Sequence, residues 1–130
     1  MKINHIGVVV KNIATELRLY LEVYGFSQIS EFLTIENQKV RVVLLNCGND
    51  MNIELIEPIG NKSPVSNALR KGGGLNHICY ETKEFDQLYK RFKNKVVQHP
   101  KPAPEPYFNG GRTFFAYLKG GLVEFLEIKE

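Results

Sequence analysis

An internal repeat is the feature that most constrains how this chain of 130 residues can fold. The tripeptide Asn-His-Ile at residues 4–6 returns at residues 76–78, an offset of 72 (76 − 4). Ile-Glu-Leu at residues 53–55 returns as Val-Glu-Phe at residues 123–125, an offset of 70 (123 − 53). Two matches in the same order and at nearly the same spacing indicate two copies of one supersecondary unit.

Each copy has the sequence pattern of a βαβββ module. In the first copy a β-branched run predicts a strand at 3–10, and apolar residues three and four positions apart predict an amphipathic helix at 14–24. Gly25 is expected to end that helix. Three further strands are predicted at 28–33, 40–46 and 52–57, and turn-forming residues join the last two into a hairpin.

The second copy repeats this order with a strand at 75–81, a helix at 85–92 and strands at 96–98, 113–118 and 122–128. The predicted fold class is therefore α+β: two paired βαβββ modules that form a curved eight-stranded sheet with the helices outside. The whole chain, residues 1–130, is expected to be one domain, with module one at about 1–58, a linker at 59–74 and module two at about 75–130. Ser63-Pro64 predicts one short helical turn within the linker.

The composition excludes several classes of protein. Hydrophobic residues make up 43% and charged residues 24%, as in an ordinary globular domain rather than a disordered chain. The net charge of +3 is small and the basic residues are scattered, which argues against a nucleic-acid partner. No run approaches the roughly 20 apolar residues of a membrane span, so we expect no membrane partner. A strand that begins next to Met1 leaves no room for a signal peptide, and we expect a cytoplasmic protein.

The two cysteines agree with that compartment. Cys47 and Cys79 lie in hydrophobic runs that predict strands, and they lack the CxxC spacing of a redox or zinc motif. We interpret both as buried, reduced thiols.

Each copy places one histidine and one glutamate at equivalent strand positions, His5 and Glu54 in the first and His77 and Glu124 in the second. Taken singly, a strand histidine is usually a hydrogen-bonded core residue, and a strand glutamate usually faces solvent. These four are flanked by apolar residues, and a carboxylate buried there without a partner costs several kcal/mol. One cation would remove that cost for both glutamates. The repeated coincidence therefore predicts a single metal site formed by all four side chains.

Two imidazoles and two carboxylates suit a divalent ion such as Ni²⁺, Co²⁺, Zn²⁺, Fe²⁺ or Mn²⁺, and they leave one or two coordination positions open. An open site of this kind polarises a carbonyl and stabilises an enolate oxygen, which lowers the barrier to moving a proton on the adjacent carbon. Glu57 and Glu127 repeat as well, but they fall on the opposite strand face and are interpreted as solvated. His99, beside Pro100, has no counterpart in the first copy and is interpreted as a loop residue rather than a ligand.

The sequence resembles the vicinal oxygen chelate superfamily, which includes glyoxalase I and the methylmalonyl-CoA epimerases, over nearly the whole chain. Residues 4–11 (Asn-His-Ile-Gly-Val-Val-Val-Lys) resemble the opening strand of the epimerases, and Tyr-Gly-Phe at 24–26 resembles the end of their first helix. Further matches lie at residues 53–58, 63–64, 74–78 and 121–124. The resemblance implies paired βαβββ modules around a U-shaped cleft, a homodimer, and the same four metal ligands that the repeat selects.

Three departures from the family pattern bear on function. The epimerases carry a second catalytic carboxylate on the strand predicted at 40–46, where Val42 stands in this chain, and its loss argues against two-base epimerisation. Glutathione-dependent glyoxalase I enzymes carry an arginine near the position of Val9 that contacts glutathione, and this chain does not. Extradiol dioxygenases bind iron through two histidines and one glutamate, so a fourth ligand at Glu54 argues against an oxygenase.

The resemblance implies an enzyme that moves a proton next to the carbonyl of a thioester or a hemithioacetal, as in an epimerase-like isomerase or a glyoxalase I-like lyase. In isomerase members a ligand glutamate can act as the base, with Glu124 as the first candidate here and Glu54 as the second. The alternatives are a non-catalytic protein that binds a small molecule and, third, a dioxygenase.

The segment from His99 to Gly111 is rich in proline and has no counterpart in the first copy. We interpret it as a wall or lid over the cleft, with Tyr107, Phe108 and Arg112 near the substrate. An irregular surface connection is the alternative.

Overall fold

The computed structural model describes residues 1–102 and 110–129. The chain divides into two compact units, one formed by His5–Asn76 and the other by Met1–Asn4 together with His77–Glu130. We call them the first and the second unit. Among the helices of residues 1–102 and 110–129, none has the length and the apolar composition of a membrane-spanning segment.

The strands of the first unit are β1 (Lys2–Val9, from His5 onward), β2 (Ser27–Gln28), β3 (Leu33–Ile35), β4 (Val40–Gly48) and β5 (Met51–Pro58). Their order is β2–β4–β5–β1, and β3 pairs with β4 as well. Strand β5 runs parallel to β1 and antiparallel to β4. Helix α1 (Ile13–Arg18) follows β1, and helix α2 (Ser66–Arg70) confirms a short helix after Ser63-Pro64.

The helix predicted at 14–24 is confirmed as helical, but only its first part is the α-helix α1. Asn12 caps α1 by accepting a hydrogen bond from the Thr15 amide at 3.0 Å. After α1 the chain continues as a π-helical turn, Leu19–Val23. Hydrophobic periodicity alone does not separate the two conformations, because both return the chain to the same face after about one turn.

The strand predicted at 28–33 is divided into β2 and β3, so the described residues contain nine strands rather than the eight predicted. Ser30 lies between the two pieces, and its hydroxyl accepts a hydrogen bond from the Leu44 amide of β4 at 2.8 Å. A side-chain oxygen therefore takes the place of a backbone carbonyl in the ladder, which interrupts the strand. A hydrogen bond of this kind cannot be predicted from the hydrophobic pattern of the sequence.

The predicted hairpin between β4 and β5 is confirmed. Gly48 pairs with Met51, so Asn49 and Asp50 form a two-residue loop, with φ values of 52° and 63°. This is the geometry of a type I′ turn, whose twist matches that of the flanking strands.

The two cysteines differ in their surroundings. Cys79 is buried as predicted, whereas Cys47 is exposed, so the prediction of burial is wrong for Cys47. The pairing of β4 with β5 shifts register between Asn46 and Gly48. Cys47 is the residue that this bulge takes out of the ladder, which explains its exposure.

The second unit contains β6 (Gly74–Thr82), α3 (Phe85–Arg91), β7 (Val96–Pro102), β8 (Arg112–Leu118) and β9 (Gly121–Glu127). The strand order is β6–β9–β8–β7. Strands β6 and β9 are parallel, as β1 and β5 are in the first unit, and the other pairs are antiparallel. The repeat in the sequence is therefore a repeat in topology.

Strand β7 continues beyond the predicted range 96–98, so the interpretation of His99 as a loop residue is wrong. Nδ1 of His99 lies 2.8 Å from the hydroxyl oxygen of Tyr89 on α3. This hydrogen bond ties the middle of β7 to the helix. Pro100 and Pro102, which both follow His99, make this strand hard to predict from the sequence, because proline is normally confined to edge strands and strand ends.

A hydrophobic core lies on the helix-bearing face of each sheet. Side chains alternate along a strand, so the residues between the core positions point to the opposite face. That opposite face carries Glu54 in the first unit and Glu124 in the second. The two cores consist of Val10, Ile13, Val43, Leu45 and Leu55 in the first unit, and of Phe85, Leu88, Phe114, Ala116 and Phe125 in the second.

Candidate functional site

His5 and Glu54 lie side by side on the sheet face opposite the α1 core. Strands β1 and β5 are parallel with Gly7 opposite Glu54, so His5, two residues earlier, is the diagonal neighbour of Glu54. The imidazole Nε2 lies 3.7 Å from Glu54 Oε1. His5 is 0% exposed and Glu54 is 7% exposed, so both groups are almost entirely removed from water.

His77 and Glu124 repeat this arrangement in the second unit. Cys79 of β6 lies opposite Glu124 of β9, so His77 again precedes the partner of the glutamate by two residues. His77 Nε2 lies 3.2 Å from Glu124 Oε1, and the two residues are 5% and 6% exposed. Phe115 of β8 lies opposite Glu124, and its ring meets the imidazole edge-on at 5.0 Å between centroids. Each copy therefore brings its own histidine and glutamate together.

The donor atoms of each pair fit a divalent metal ion. Two ligand atoms that share one ion at about 2.0–2.2 Å lie roughly 3.0–3.5 Å apart. The 3.2 Å separation in the second unit falls within that range, and the 3.7 Å separation in the first is slightly longer. A cation held between an imidazole nitrogen and a carboxylate oxygen at these distances would offset the cost of burying both groups.

The strand next to Glu54 presents apolar side chains on the same face. Leu44 of β4 lies opposite Glu54, and Val42 lies opposite Ile56. Val42 is 1% exposed. Val42, where the resemblance described above implies a second carboxylate, is therefore a buried apolar residue on the face of Glu54.

The second unit adds a cation on the face of Glu124. Lys101 of β7 lies opposite Thr113, and Thr113 lies opposite Leu126, two residues from Glu124. Lys101 is half-buried. Burial lowers the pKa of its ammonium group, and the carboxylate of Glu124 acts in the opposite direction. The sequence does not single out Lys101, because it predicts a loop after residue 98, and the direction of a side chain in a loop cannot be predicted from strand alternation.

Arg112 lies on the helix-bearing face, which contradicts the expectation that it is near the substrate. Its guanidinium donates hydrogen bonds to the carboxylate of Glu127 and lies 4.6 Å from the ring centroid of Phe85 on α3. The bond to Arg112 lowers the pKa of the Glu127 carboxyl, and the same bond raises the pKa of the guanidinium. Tyr107 and Phe108, predicted to accompany Arg112, lie outside the described residues.

Glu57 and Glu127 are not the solvated side chains that the sequence predicts. Glu57 accepts a hydrogen bond from the Ile13 amide at 2.7 Å and so caps the first turn of α1. Glu127 accepts hydrogen bonds from Arg112. Both glutamates are only partly exposed and hold elements of their own unit together.

The chain is similar to known proteins over nearly its whole length. The sequence model of the Glyoxalase/Bleomycin resistance protein/Dioxygenase superfamily matches residues 4–117. The mitochondrial methylmalonyl-CoA epimerase of Dictyostelium discoideum is 32% identical over 131 residues, which cover 97% of this chain and 78% of that protein.

Solved structures agree with the fold. The methylmalonyl-CoA epimerase of Mycobacterium tuberculosis superposes with a TM-score of 0.83 at 20% identity, covering 98% of this chain and 88% of the other. A methylmalonyl-CoA epimerase in complex with methylmalonyl-CoA and NH4+ superposes with a TM-score of 0.78 at 27% identity, covering 97% of this chain and 93% of the other. The predicted fold class, α+β with two βαβββ modules, is confirmed.

Proposed function

This chain belongs to the glyoxalase/bleomycin resistance/dioxygenase superfamily, and we propose that it is an isomerase-type enzyme that moves a proton on the carbon next to a thioester carbonyl. Its similarity to methylmalonyl-CoA epimerases supports the isomerase class. The observation that carries the proposal is the buried pair of histidine and glutamate at equivalent positions of the two units. Carboxylates buried among apolar strands lower stability, so their presence twice points to chemistry.

We propose that His5, Glu54, His77 and Glu124 together hold one divalent ion of Ni, Co, Zn, Fe or Mn. When bound, such an ion polarises the thioester carbonyl and stabilises negative charge on its oxygen. The separation of the donor atoms in each pair supports shared coordination. Transition-metal sites usually use three or four protein ligands, so the two pairs are expected to act together rather than separately.

Glu124 is proposed as the group that accepts the proton. Its neighbours across the sheet are Phe115 and Cys79, and such apolar neighbours keep water from competing for the carboxylate. The C–H bond of the substrate breaks, the proton forms an O–H bond on Glu124, and the electron pair moves towards the thioester oxygen. Delivery of a proton to the opposite face of the carbon re-forms the C–H bond with inverted configuration, and loss of the abstracted proton from Glu124 to solvent restores the carboxylate. Glu54 is the alternative base.

A second candidate function, a glyoxalase I-like lyase that acts on a hemithioacetal, is favoured by Val42. Inversion at a carbon requires proton return from the opposite side, which normally needs a second acid. Val42 is buried beside Glu54 and supplies none. A single carboxylate is sufficient to shift a proton between adjacent carbons, so a one-base reaction fits the same site.

Exchange of substrate α-protons with deuterated water tests the proposal. The full chain, reconstituted with each of the five metals, is incubated with methylmalonyl-CoA, other acyl-CoA esters and glutathione hemithioacetals, and deuterium incorporation is followed by NMR. Glu124→Gln is expected to slow exchange by about 10²- to 10⁴-fold. Glu127→Gln, three residues along the same strand but on the helix-bearing face, is the control. Binding without exchange for every substrate would favour the non-catalytic alternative, and metal-dependent oxygen consumption would favour a dioxygenase.

A homodimer, a cytoplasmic location and the absence of nucleic-acid partners stay predictions from the sequence. The same holds for the assignment of residues 1–130 to one domain. Gel filtration of the purified chain tests the first of them, with an apparent mass near twice the 14.9 kDa of one chain expected.

A further inference from the structure

Gln98 of β7 carries a buried amide nitrogen that has no hydrogen-bond partner, and it is the one side-chain atom of this kind in residues 1–102 and 110–129. Gln98 lies opposite Phe115 of β8, which lies opposite Glu124 of β9. Residues directly opposite each other share a sheet face, so the amide belongs to the face of Glu124. A buried N–H group without an acceptor is unfavourable for folding, so its presence in a native structure calls for an explanation, and a catalytic or ligand-binding role is one of them.

An irregularity in β7 brings Lys101 to the same face. Residues three apart in a regular strand point to opposite faces. The pairing with β8 shifts between Gln98, which is opposite Phe115, and Lys101, which is opposite Thr113. One extra residue in β7 therefore restores Lys101 to the face of Gln98. Bulges that redirect a side chain in this way are frequent beside active sites.

The bulge itself is anchored from the other side of the sheet. His99 lies within it, and its Nδ1 is 2.8 Å from the hydroxyl of Tyr89 on α3. In β7, His99 therefore points towards the helix, whereas Gln98 and Lys101 point to the face of Glu124. The first unit contains no strand with this pair of polar residues in its described part, so the arrangement breaks the repeat.

We propose that Gln98 and Lys101 are specificity residues that bind a carboxylate of the acyl group, next to the carbon that Glu124 deprotonates. The proposal rests on the proposed function of that same site. The amide N–H and the ammonium group are both donors, and an ammonium together with an amide suits an anionic oxygen better than a neutral one. A neutral acyl group would leave the amide nitrogen of Gln98 without an acceptor.

Binding of two thioesters that differ by one carboxylate tests this role. Methylmalonyl-CoA and propionyl-CoA are titrated calorimetrically into the full chain. The wild type is expected to bind methylmalonyl-CoA about tenfold or more tightly than propionyl-CoA, as one charge-assisted contact provides. Lys101→Met is expected to abolish most of that preference by weakening methylmalonyl-CoA alone, and Gln98→Leu to reduce it severalfold. Lys90→Met, an exposed lysine on α3, should leave the preference intact.

Three results would overturn the proposal. The first is a wild type without preference for the carboxylated ligand. The second is an equal loss of affinity for both ligands in Lys101→Met, as a structural role would give. The third is a pair of variants, Lys101→Met and Gln98→Leu, that bind both thioesters as the wild type does but exchange the α-protons of both more slowly. That result would mean that the two donors contact the enolate oxygen rather than a carboxylate. The wild type could also prefer methylmalonyl-CoA, lose that preference in Lys101→Met, and show no α-proton exchange. That result would contradict the proposed enzymatic function but would support the carboxylate subsite.

Discussion

Arg112 of β8 and Glu127 of β9 form a bidentate ion pair, with Nη2 at 2.6 Å from Oε2 and Nε at 3.1 Å from Oε1. The corresponding pair of the first unit, Arg41 and Glu57, is a single contact of 3.4 Å. Glu57 instead accepts the amide of Ile13 at 2.7 Å. The same two residue types at the same positions of the repeat therefore stabilise the two units differently.

Arg112→Met is expected to lower the free energy of unfolding at pH 7 by about 1–2 kcal/mol, the value of a charge-assisted hydrogen bond discounted for partial exposure. Arg41→Met should cost less than about 0.5 kcal/mol. Arg112 lowers the pKa of Glu127 in the folded protein. The ion pair therefore stabilises the fold fully above the ordinary pKa of a glutamate, and this stabilisation is lost as the pH falls through the lowered pKa. Urea denaturation at pH 7 and in acid measures the difference. A loss of equal size at both pH values would contradict the assignment.

His77→Ala is expected to abolish stoichiometric binding of a divalent metal, with affinity at least about 100-fold weaker than in the wild type. His5→Ala should behave in the same way, since the two histidines occupy equivalent positions. His99→Ala is the control, because His99 is hydrogen-bonded to Tyr89. Metal content after reconstitution and dialysis gives the result. A wild type that retains none of the five metals would rule out the proposed site.

Because Val42 supplies no second acid, exchange of the substrate α-proton is expected to be faster than inversion of the α-carbon. With one enantiomer of methylmalonyl-CoA, the wild type should incorporate deuterium at the α-carbon more rapidly than it forms the other enantiomer. Val42→Glu should raise inversion relative to exchange, at a stability cost of about 2–4 kcal/mol for a buried carboxylate. Val42→Gln introduces a side chain of the same size as glutamate that cannot act as a base, so it should leave the ratio of inversion to exchange unchanged. Equal rates of inversion and exchange in the wild type would show that another residue is the second base.

Gln98→Leu is expected to raise the free energy of unfolding by about 1 kcal/mol, since it replaces a buried amide that lacks a partner by an apolar group of similar size. Gln87→Leu, an exposed position on α3, should change stability by less than about 0.5 kcal/mol. Thermal unfolding followed by circular dichroism compares the two. A destabilised Gln98→Leu variant would mean that the amide serves folding rather than a ligand.

Gly111→Ala is expected to destabilise the second unit by about 2 kcal/mol or more, because a Cβ atom there would lie 2.2 Å from the carbonyl oxygen of Glu127. Backbone must move to accommodate it. Gly120→Ala is the matched control, since a Cβ atom at that position meets nothing within 4 Å. Equal midpoints of urea denaturation for the two variants would show that the chain before β8 relaxes without cost.

Much of the fold is predictable here because the repeat and the strand alternation are local properties of the sequence. The βαβββ order, the hairpin at Asn49 and Asp50, and the equivalent placement of each histidine and glutamate all follow from spacing. The errors have local structural causes as well. The hydroxyl of Ser30 interrupts a strand by bonding Leu44, and hydrophobic periodicity does not record such a bond.

By itself, the sequence determined that one histidine and one glutamate recur in each half of a two-module chain, since residue type and spacing are all that this pattern requires. Only the tertiary structure decided which polar residues share the face of Glu124. A one-residue bulge reverses the side to which a strand residue points. For that reason Lys101 and Gln98 lie beside Glu124, whereas Arg112, at the start of the next strand, pairs with Glu127 on the other face.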